Sequence, residues 1–415
     1  MEDILNLRYA LDTFYFLVSG ALVMWMAAGF AMLESGLVRS KNVATICLKN
    51  ISLFAIAGIM YYLMGYNLMY MDVSGFIGSL AVWAPSDVTA LTGVQDEATY
   101  SSTSDWFFQM VFVATAASVV SGTLAERIKL WPFLAFVVVL TGVIYPIQGA
   151  WTWGGGFLST MGFVDFAGSS IVHGVGGWAA LVGAIILGPR LGRFDANGAS
   201  RPIPGSSMPL ATLGTFILWF GWFGFNGASQ LAMGTISDVN AIAAVSANTS
   251  MAAAGGVVAA MLFSQLRYGK VDLSMALNGA LAGLVSITAD PLSPSIGVAI
   301  LIGGAGSVVA SYAVTMLDKF QIDDVVGAIP VHLIAGVWGT LAVAITNPEA
   351  TFVTQLIGVA SIGSFVAITS AITWFVLKAT VGIRLSEEEE RVGSDLTDLG
   401  MEAYPEFGRG SQKLF

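Results

Sequence analysis

Long apolar segments dominate this chain of 415 residues and constrain its fold more than any other feature. A helix needs about 20 mostly apolar residues to cross the hydrocarbon core of a membrane. About eleven segments meet that requirement, and charged residues make up only 11% of the sequence, against about 25% in soluble domains. The sequence therefore predicts an all-α polytopic membrane protein with spans at about 11–33, 44–66, 106–124, 130–149, 165–189, 208–228, 240–264, 273–289, 295–317, 327–346 and 352–378.

The loops between these spans differ in their lysine and arginine content. Loops after odd-numbered spans hold basic residues, such as Arg39 and Lys41, whereas loops after even-numbered spans hold none. By the positive-inside rule, we expect the N-terminus outside and the C-terminus in the cytoplasm of a cell (inner or plasma) membrane. The chain then divides into a transmembrane domain, residues 1–380, and a cytoplasmic tail, residues 381–415.

The second loop, from about Asn67 to Asp105, is long and acidic. Its carboxylates are Asp72, Asp87, Asp96, Glu97 and Asp105. We expect a solvated loop whose charge slightly concentrates cations near an entrance, an effect that physiological salt would largely screen.

The two histidines of the chain both lie within predicted spans, in a repeated pattern. His173 follows Asp165 by eight positions in DFAGSSIVH, and His332 follows Asp324 by eight positions in DVVGAIPVH. The first copy begins the fifth span and the second begins the tenth, so the two copies enter the membrane from opposite sides. This predicts two inverted halves, at about 11–189 and 208–346, followed by a closing helix at about 352–378.

Each histidine lies roughly 12 Å along a helix from its aspartate, which brings both to the middle of a core about 30 Å thick. Two neutral imidazoles there can share one hydrogen bond and offer polar edges to a small molecule, or relay a proton. A metal site is the competing interpretation, but two histidines without suitable carboxylates or thiols fit metal-ligand sets poorly. The single cysteine, Cys47, excludes an intramolecular disulfide. We expect no metal and no cofactor. Asp165 and Asp324 are expected to cap helix N-termini.

Several ordered motifs, including this repeat, resemble those of the Amt/Mep/Rh family of ammonium transporters, and they extend over nearly the whole chain. They are WFFQMVF at 106–112, TLAER at 123–127, WTWGGGF at 151–157, DFAGSSIVHGVGG at 165–177, GWFGFNGAS at 221–229, GLVSIT at 283–288 and VGAIPVHLIAGVWGT at 326–340.

The resemblance implies transport of ammonium or ammonia, with methylammonium as an analogue, by a homotrimer with one pore in each subunit. The implied site residues are Phe108, Trp153 and Ser229 for recruitment of ammonium, Phe112 and Phe225 with Trp222 nearby for an aromatic gate, His173 and His332 for the pore centre, and Asp165, Asn226 and Thr288 in supporting positions. Membrane lipid is a further expected partner, and nucleic acid is not.

Elementary chemistry is consistent with these implied roles. Aromatic faces attract a small cation by roughly 0.5–2 kcal/mol, and the Ser229 hydroxyl can accept a hydrogen bond from ammonium. A dry aromatic gate makes transfer of a bare charge expensive. We therefore expect deprotonation near the gate, passage of ammonia past the histidines and a separate path for the proton.

The tail also resembles that of the family, through Glu390, Gly393, Asp395 and later Ala403-Tyr404. Such tails couple neighbouring subunits, and in many bacteria a PII-type signalling protein binds at this face and plugs the pore exits. Leu399 stands where family members often have histidine, which is a departure in the tail and not in the pore.

Three other functions would also use parts of this sequence pattern. An ammonium sensor would keep the fold and the recruitment site and conduct little. A channel for a neutral solute such as carbon dioxide is disfavoured by the aromatic and Ser229 set, which favours a cation. An enzyme is disfavoured because the sequence has no metal set, no nucleotide-binding loop and no nucleophile paired with a base.

Overall fold

The computed structural model describes residues 2–87 and 100–407, and the regular elements in these two ranges are all helical. Two isolated β-bridges join Ile128 to Arg384 and Phe194 to Ser200. Asp96 and Glu97 of the acidic loop lie outside the described residues, as do the last eight residues of the predicted tail.

Eleven helices form the transmembrane bundle within the described ranges. Ten are at least 18 residues long and apolar enough to cross a membrane, and the eighth is a shorter apolar helix. Their bounds are α1 Asp3–Leu37, α2 Ser40–Tyr70, α3 Ser102–Thr123, α4 Leu130–Ala150, α5 Ser169–Leu187, α6 Met208–Ala228, α7 Ile236–Tyr268, α8 Leu273–Ile287, α9 Ile296–Lys319, α10 Ile329–Thr346 and α11 Phe352–Thr380.

The expected all-α polytopic architecture is confirmed, with differences at helix ends. Helix α1 begins near the N-terminus rather than at about residue 11, and α7 is longer at both ends than predicted. Asp105, which was assigned to the acidic loop, lies in the first turn of α3. The reason is that Ser101 caps this helix by accepting the backbone N–H of Thr103, so the helix starts before its apolar stretch.

Glycines allow α7, α8 and α9 to pack closely. A Cβ placed on Gly256 of α7 would lie 2.1 Å from the Gly279 carbonyl oxygen of α8, and one on Gly303 of α9 would lie 2.1 Å from the Ala252 carbonyl oxygen of α7. No side chain fits at such separations. Backbone contact of this kind is the usual reason for small residues at helix interfaces within membranes.

Helices α5 and α10 both begin with a π-helical turn, at Ser169–Gly174 and Ile329–Ile334. Each turn contains one of the two histidines. A π turn has wider spacing than an α-helix and is frequent at functional sites because it redirects side chains. The repeated sequence thus produces a repeated local geometry.

The tail packs against the end of the bundle at which α1 ends and α2 begins. A short helix, α12, covers Glu387–Val392 and is followed by a π-helical turn at Asp395–Leu399. The Asp395 carboxylate accepts hydrogen bonds from the backbone of Ala44 and Thr45 near the start of α2, at 3.0 and 2.8 Å. We call this end the tail face, and the opposite end the N-terminal face.

Candidate functional site

A cavity of about 370 Å³ opens near the N-terminal face, and it contains the three residues expected to recruit ammonium. Phe108, Trp153 and Ser229 all line it. The Trp153 indole donates a hydrogen bond to the Asp165 carbonyl oxygen at 2.9 Å, which fixes the plane of its ring. The Ser229 hydroxyl donates to the Phe225 carbonyl oxygen at 2.8 Å, so its oxygen keeps lone pairs that can accept a further hydrogen bond.

Five polar residues that the sequence did not assign to the recruitment site line the same cavity. Asp105 and Gln109 come from α3, Tyr66 and Tyr70 come from α2, and Tyr100 comes from the segment before α3. The spacing of Asp105, Phe108, Gln109 and Phe112 places all four on one face of α3, so the signal was present in the sequence. Burial, together with nearby Asp105 and Asp12, raises the pKa of the Tyr100 phenol to about 12, so this side chain remains neutral.

A stack of aromatic rings closes the inner end of this cavity. The ring centroids of Phe112 and Phe225 lie 3.9 Å apart with an angle of 20° between their planes, and Phe108 lies edge-on to Phe112 at 4.8 Å. All three side chains are fully buried. The two residues expected to form a gate therefore lie face to face, with no space for a solvated ion between them.

The two histidines lie directly beyond the ring stack. Their Nδ1 atoms are 3.2 Å apart, within hydrogen-bond distance, and either can be the donor. The His173 ring stacks on Trp222 at 4.9 Å and lies 5.3 Å from the Phe225 ring. The Nε2 atom of His173 is buried and has no hydrogen-bond partner among the described residues. A buried unpaired nitrogen is costly, and a small polar molecule in the path would satisfy it.

Two supporting residues hold this arrangement in place. The Asp165 carboxylate accepts four backbone N–H groups at the start of α5, from Gly168, Ser169, Ser170 and Ile171, at 2.8–3.1 Å. It therefore fixes the turn that contains His173 and does not line the cavity near Trp153.

Thr288 accepts a hydrogen bond from the Trp222 indole at 2.8 Å, which orients the ring that stacks on His173. Trp222, expected near the gate, thus lies beside Phe225 of the gate at 5.8 Å and beside His173 of the histidine pair at 4.9 Å. Asn226 donates to Thr249 of α7 at 2.9 Å and joins two helices instead of lining the cavity.

Beyond His332 the path continues toward the tail face. A small space of about 10 Å³ contacts His332, Phe30 and Glu34, roughly enough for one water molecule. It shares lining residues with a vestibule of about 630 Å³ that opens at the tail face. The shared residues are Asn278, Val326, Gly327 and Val331.

A buried pair of opposite charges beside this inner path was also missed. Glu34 accepts a hydrogen bond from the Ser121 hydroxyl at 2.7 Å, and Lys49 donates to the Ser121 carbonyl oxygen at 2.8 Å. Both charged side chains are about 1% exposed. They lie 15 positions apart on different helices, so their proximity depends on packing that sequence spacing does not reveal.

Taken in order along the bundle, the structure presents an aromatic cavity with polar edges, a dry ring stack, a histidine pair and a vestibule. Such a series can attract a small cation, exclude its hydration shell and offer nitrogen atoms to an uncharged molecule. Within the described ranges, no group of three or more His, Cys, Asp or Glu side chains is placed to hold a metal ion.

Comparison with known proteins gave consistent matches along the chain. The profile of the Ammonium Transporter Family matches residues 14–404. The ammonium transporter Amt2 of Archaeoglobus fulgidus is 39% identical over 436 residues, which cover 97% of this chain and 90% of the relative. Amt2 of Methanocaldococcus jannaschii is 36% identical over 425 residues, with 98% and 94% covered.

Solved structures of similar proteins also match this chain. One described as a Sensor Amt Protein matches with a TM-score of 0.87 and 34% identity, over 95% of this chain and 99% of that one. Mep2 of Candida albicans matches with a TM-score of 0.83 and 26% identity, over 96% and 92%.

Proposed function

The chain belongs to the Ammonium Transporter Family, and from this premise we propose that it carries ammonium or ammonia through one pore in each subunit. The resemblance noted in the sequence is confirmed, and the protein is a multi-pass membrane protein and not an enzyme. The observation that supports a conducting pore best is the sequence of cavity, ring stack, histidine pair and vestibule along one bundle.

Recruitment takes place in the cavity near the N-terminal face. The Phe108 and Trp153 rings attract ammonium through their π faces, and the Ser229 oxygen accepts one of its N–H groups. Ammonium loses most of its water here, and these contacts replace part of the lost hydration.

Deprotonation follows at the ring stack, because a bare charge is costly where no water or counter-charge is present. Ammonia passes Phe112 and Phe225 when the rings move apart, and its hydrogen-bonding groups then meet His173 and His332. The linked imidazoles provide a route by which the proton moves separately.

A non-conducting or weakly conducting sensor is the second candidate, favoured by the similarity to the Sensor Amt Protein. A sensor would use the same recruitment cavity and pass the signal to a separate partner. The two candidates differ in flux and not in binding, so flux decides between them.

Purified protein in liposomes should be exposed to pulses of ammonium, methylammonium and potassium. A transporter gives current or internal alkalinisation with the first two and none with potassium. Binding of methylammonium without flux of either charge or ammonia would favour the sensor and contradict the transporter.

Orientation and division of the chain are part of the same proposal. The N-terminal face lies outside the cell (inner or plasma) membrane, and the tail face lies in the cytoplasm, because the basic loops converge on the tail face. Residues 1–380 form the transport domain, with inverted halves and α11 as the closing helix, and residues 381–415 form the cytoplasmic tail.

The proposed assembly is a homotrimer in the lipid bilayer, and a PII-type protein is a candidate partner at the tail face. Family resemblance supports both. Native mass spectrometry in detergent should give three chains for each complex, and a monomer that transports ammonium would contradict the assembly.

A further inference from the structure

We propose that Asp105 is a specificity residue of the recruitment cavity, where its carboxylate attracts ammonium and favours the cation over neutral solutes. This inference rests on the proposed function and identifies a charged group in a site otherwise formed by rings and a hydroxyl. It also differs from the expectation that loop acidity acts diffusely, because Asp105 belongs to the cavity wall.

The position of Asp105 is fixed by helix α3 and by neutral donors. It lies on the same helical face as Phe108 and lines the same cavity as Trp153 and Ser229. The Tyr66 hydroxyl donates a hydrogen bond to its Oδ2 at 2.5 Å, and the Gln109 amide nitrogen lies 3.5 Å from its Oδ1. Both contacts orient the carboxylate without cancelling its charge.

No cation compensates this carboxylate within the part of the chain that the structure describes. None of the ion pairs among these residues includes Asp105. By contrast, the buried carboxylates Glu126 and Asp323 at the tail face are paired with arginine. A half-buried negative charge without a counter-ion, in a cavity lined by rings, attracts a small cation more strongly than the same charge on a solvated loop.

A purely structural role makes a different prediction. Asp105 is the acidic residue in the first turn of α3, where a negative charge interacts favourably with the helix dipole. In that role its loss would lower stability and leave the affinity for ammonium unchanged. Separate values of KM and kcat therefore distinguish the two roles, because only the loss of an attracting charge raises KM.

The test compares Asp105→Asn with wild type in proteoliposomes, by methylammonium uptake at low and physiological salt. We expect KM to rise about tenfold with kcat within about twofold, and the rise to be larger at low salt, where charges act over longer distances. Asp72→Asn is the matched control, because Asp72 is exposed on the loop and does not line the cavity. Its KM should match wild type at physiological salt.

Two further variants guard against misfolding. Asp105→Glu keeps the charge and should retain most of the affinity. The double variant Asp105→Asn with Gln109→Glu moves the charge to the adjacent cavity residue and should restore KM toward wild type. Equal KM for Asp105→Asn and wild type, or equal loss in the Asn and Glu variants, would overturn the inference while leaving transport established.

Methylammonium binding to the same proteins in detergent, followed by calorimetry, separates this inference from the proposed function. Absence of flux in wild type contradicts the transporter alone. Weaker binding by Asp105→Asn then still supports the role of Asp105, and unchanged binding overturns it.

Discussion

Buried polar atoms without partners are rare in proteins, and one of those among the described residues belongs to His173, beside the ring stack. The His173 atom is Nε2, the nitrogen that is not engaged with His332. In the proposed function, a small polar molecule passing His173 would supply the missing hydrogen bond. At the level of single residues, the histidine pair is therefore the part of the pore most directly suited to a permeating molecule.

Replacing both His173 and His332 with leucine removes this polar edge and the proton route. We expect ammonium-dependent current to fall about a hundredfold, the order of effect typical of a lost proton-transfer group. Current in proteoliposomes and gel filtration of the purified variant provide the measurement and the folding control. Persistent current with unchanged selectivity over potassium would contradict the relay.

Sequence spacing predicted the contact between the two histidines, but it did not predict the polar residues of the outer cavity. Equal Asp-to-His spacing predicted the meeting of His173 and His332, because helical rise converts spacing into depth. Glu34 and Lys49 belong to no repeated pattern, so their spacing in the sequence does not indicate that the two side chains face each other. Asp105 was missed for a simpler reason, which is that the start of α3 was set too late.

Among the elements, the tail is held against the start of α2 by short hydrogen bonds, several of which involve a charged group. Asp395 accepts from the backbone of Ala44 and from both the backbone and the hydroxyl of Thr45, at 2.8–3.0 Å. The Lys41 ammonium donates to the carbonyl oxygens of Glu390 and Arg391. The carboxylate of Asp395 thus serves as a cap for α2 supplied by a distant part of the chain.

Asp395→Ala should release the tail from the bundle without unfolding the bundle. Hydrogen bonds to a charged group contribute about 1.5–3 kcal/mol each, so docking weakens strongly. Limited proteolysis should cleave after residue 381 faster than in wild type. Glu388→Gln is the control, since Glu388 is exposed on α12, and it should leave the cleavage rate unchanged. Equal cleavage of Asp395→Ala and wild type would contradict the capping role.

The basic loops are also structural elements and not only topological signals. Arg190 donates to Asp323 at 2.8 and 3.0 Å, and Arg127 donates to the Asp323 carbonyl oxygen at 2.6 Å. Burial raises the pKa of the Asp323 carboxyl, but the Arg190 hydrogen bonds and the Arg127 charge lower it more. The pKa therefore lies well below its ordinary value.

This shift predicts how stability depends on pH. A lowered folded pKa contributes stability above the unfolded value of about 3.9, and that contribution is lost as pH falls below it. Asp323→Asn should reduce the free energy of unfolding by about 3 kcal/mol at pH 7, seen as a lower Tm. The Tm difference from wild type should narrow below about pH 4.

Glu349→Gln is the control for this series, because Glu349 is exposed, and its Tm should match wild type at every pH. A Tm difference between Asp323→Asn and wild type that stays constant from pH 7 to pH 3 would show that the charge of Asp323 is not its source.

For the molecule as a whole, hydropathy predicted about eleven spans, and within the described ranges ten helices reach the length of a span while α8 is shorter. The repeat predicted that two histidines lie near the centre. Neither signal could predict that Asn278 would lie where the vestibule meets the space beside His332. The position of Asn278 follows from how α8 packs against its neighbours, and α7, α8 and α9 approach closely at glycines. Helix contacts of this kind depend on the shapes of the helix surfaces. The spacing of apolar residues in the sequence does not show those shapes.

The position of Asn278 permits a direct test of the path. Cys47 is exposed and should first be replaced by alanine. In that background, Asn278→Cys introduces one thiol where the inner path narrows, and a methanethiosulfonate reagent applied from the tail face then fills the space. Ser386→Cys, exposed in the tail, is the labelled control.

Ammonium-driven current through these proteoliposomes, recorded before and after labelling, is the decisive measurement. The proposed path predicts normal current before labelling, loss of at least about 90% after labelling of Asn278→Cys, as expected when a bulky group fills a closely packed space, and no loss for Ser386→Cys. Full current through labelled Asn278→Cys would show that ammonium crosses the protein by another route.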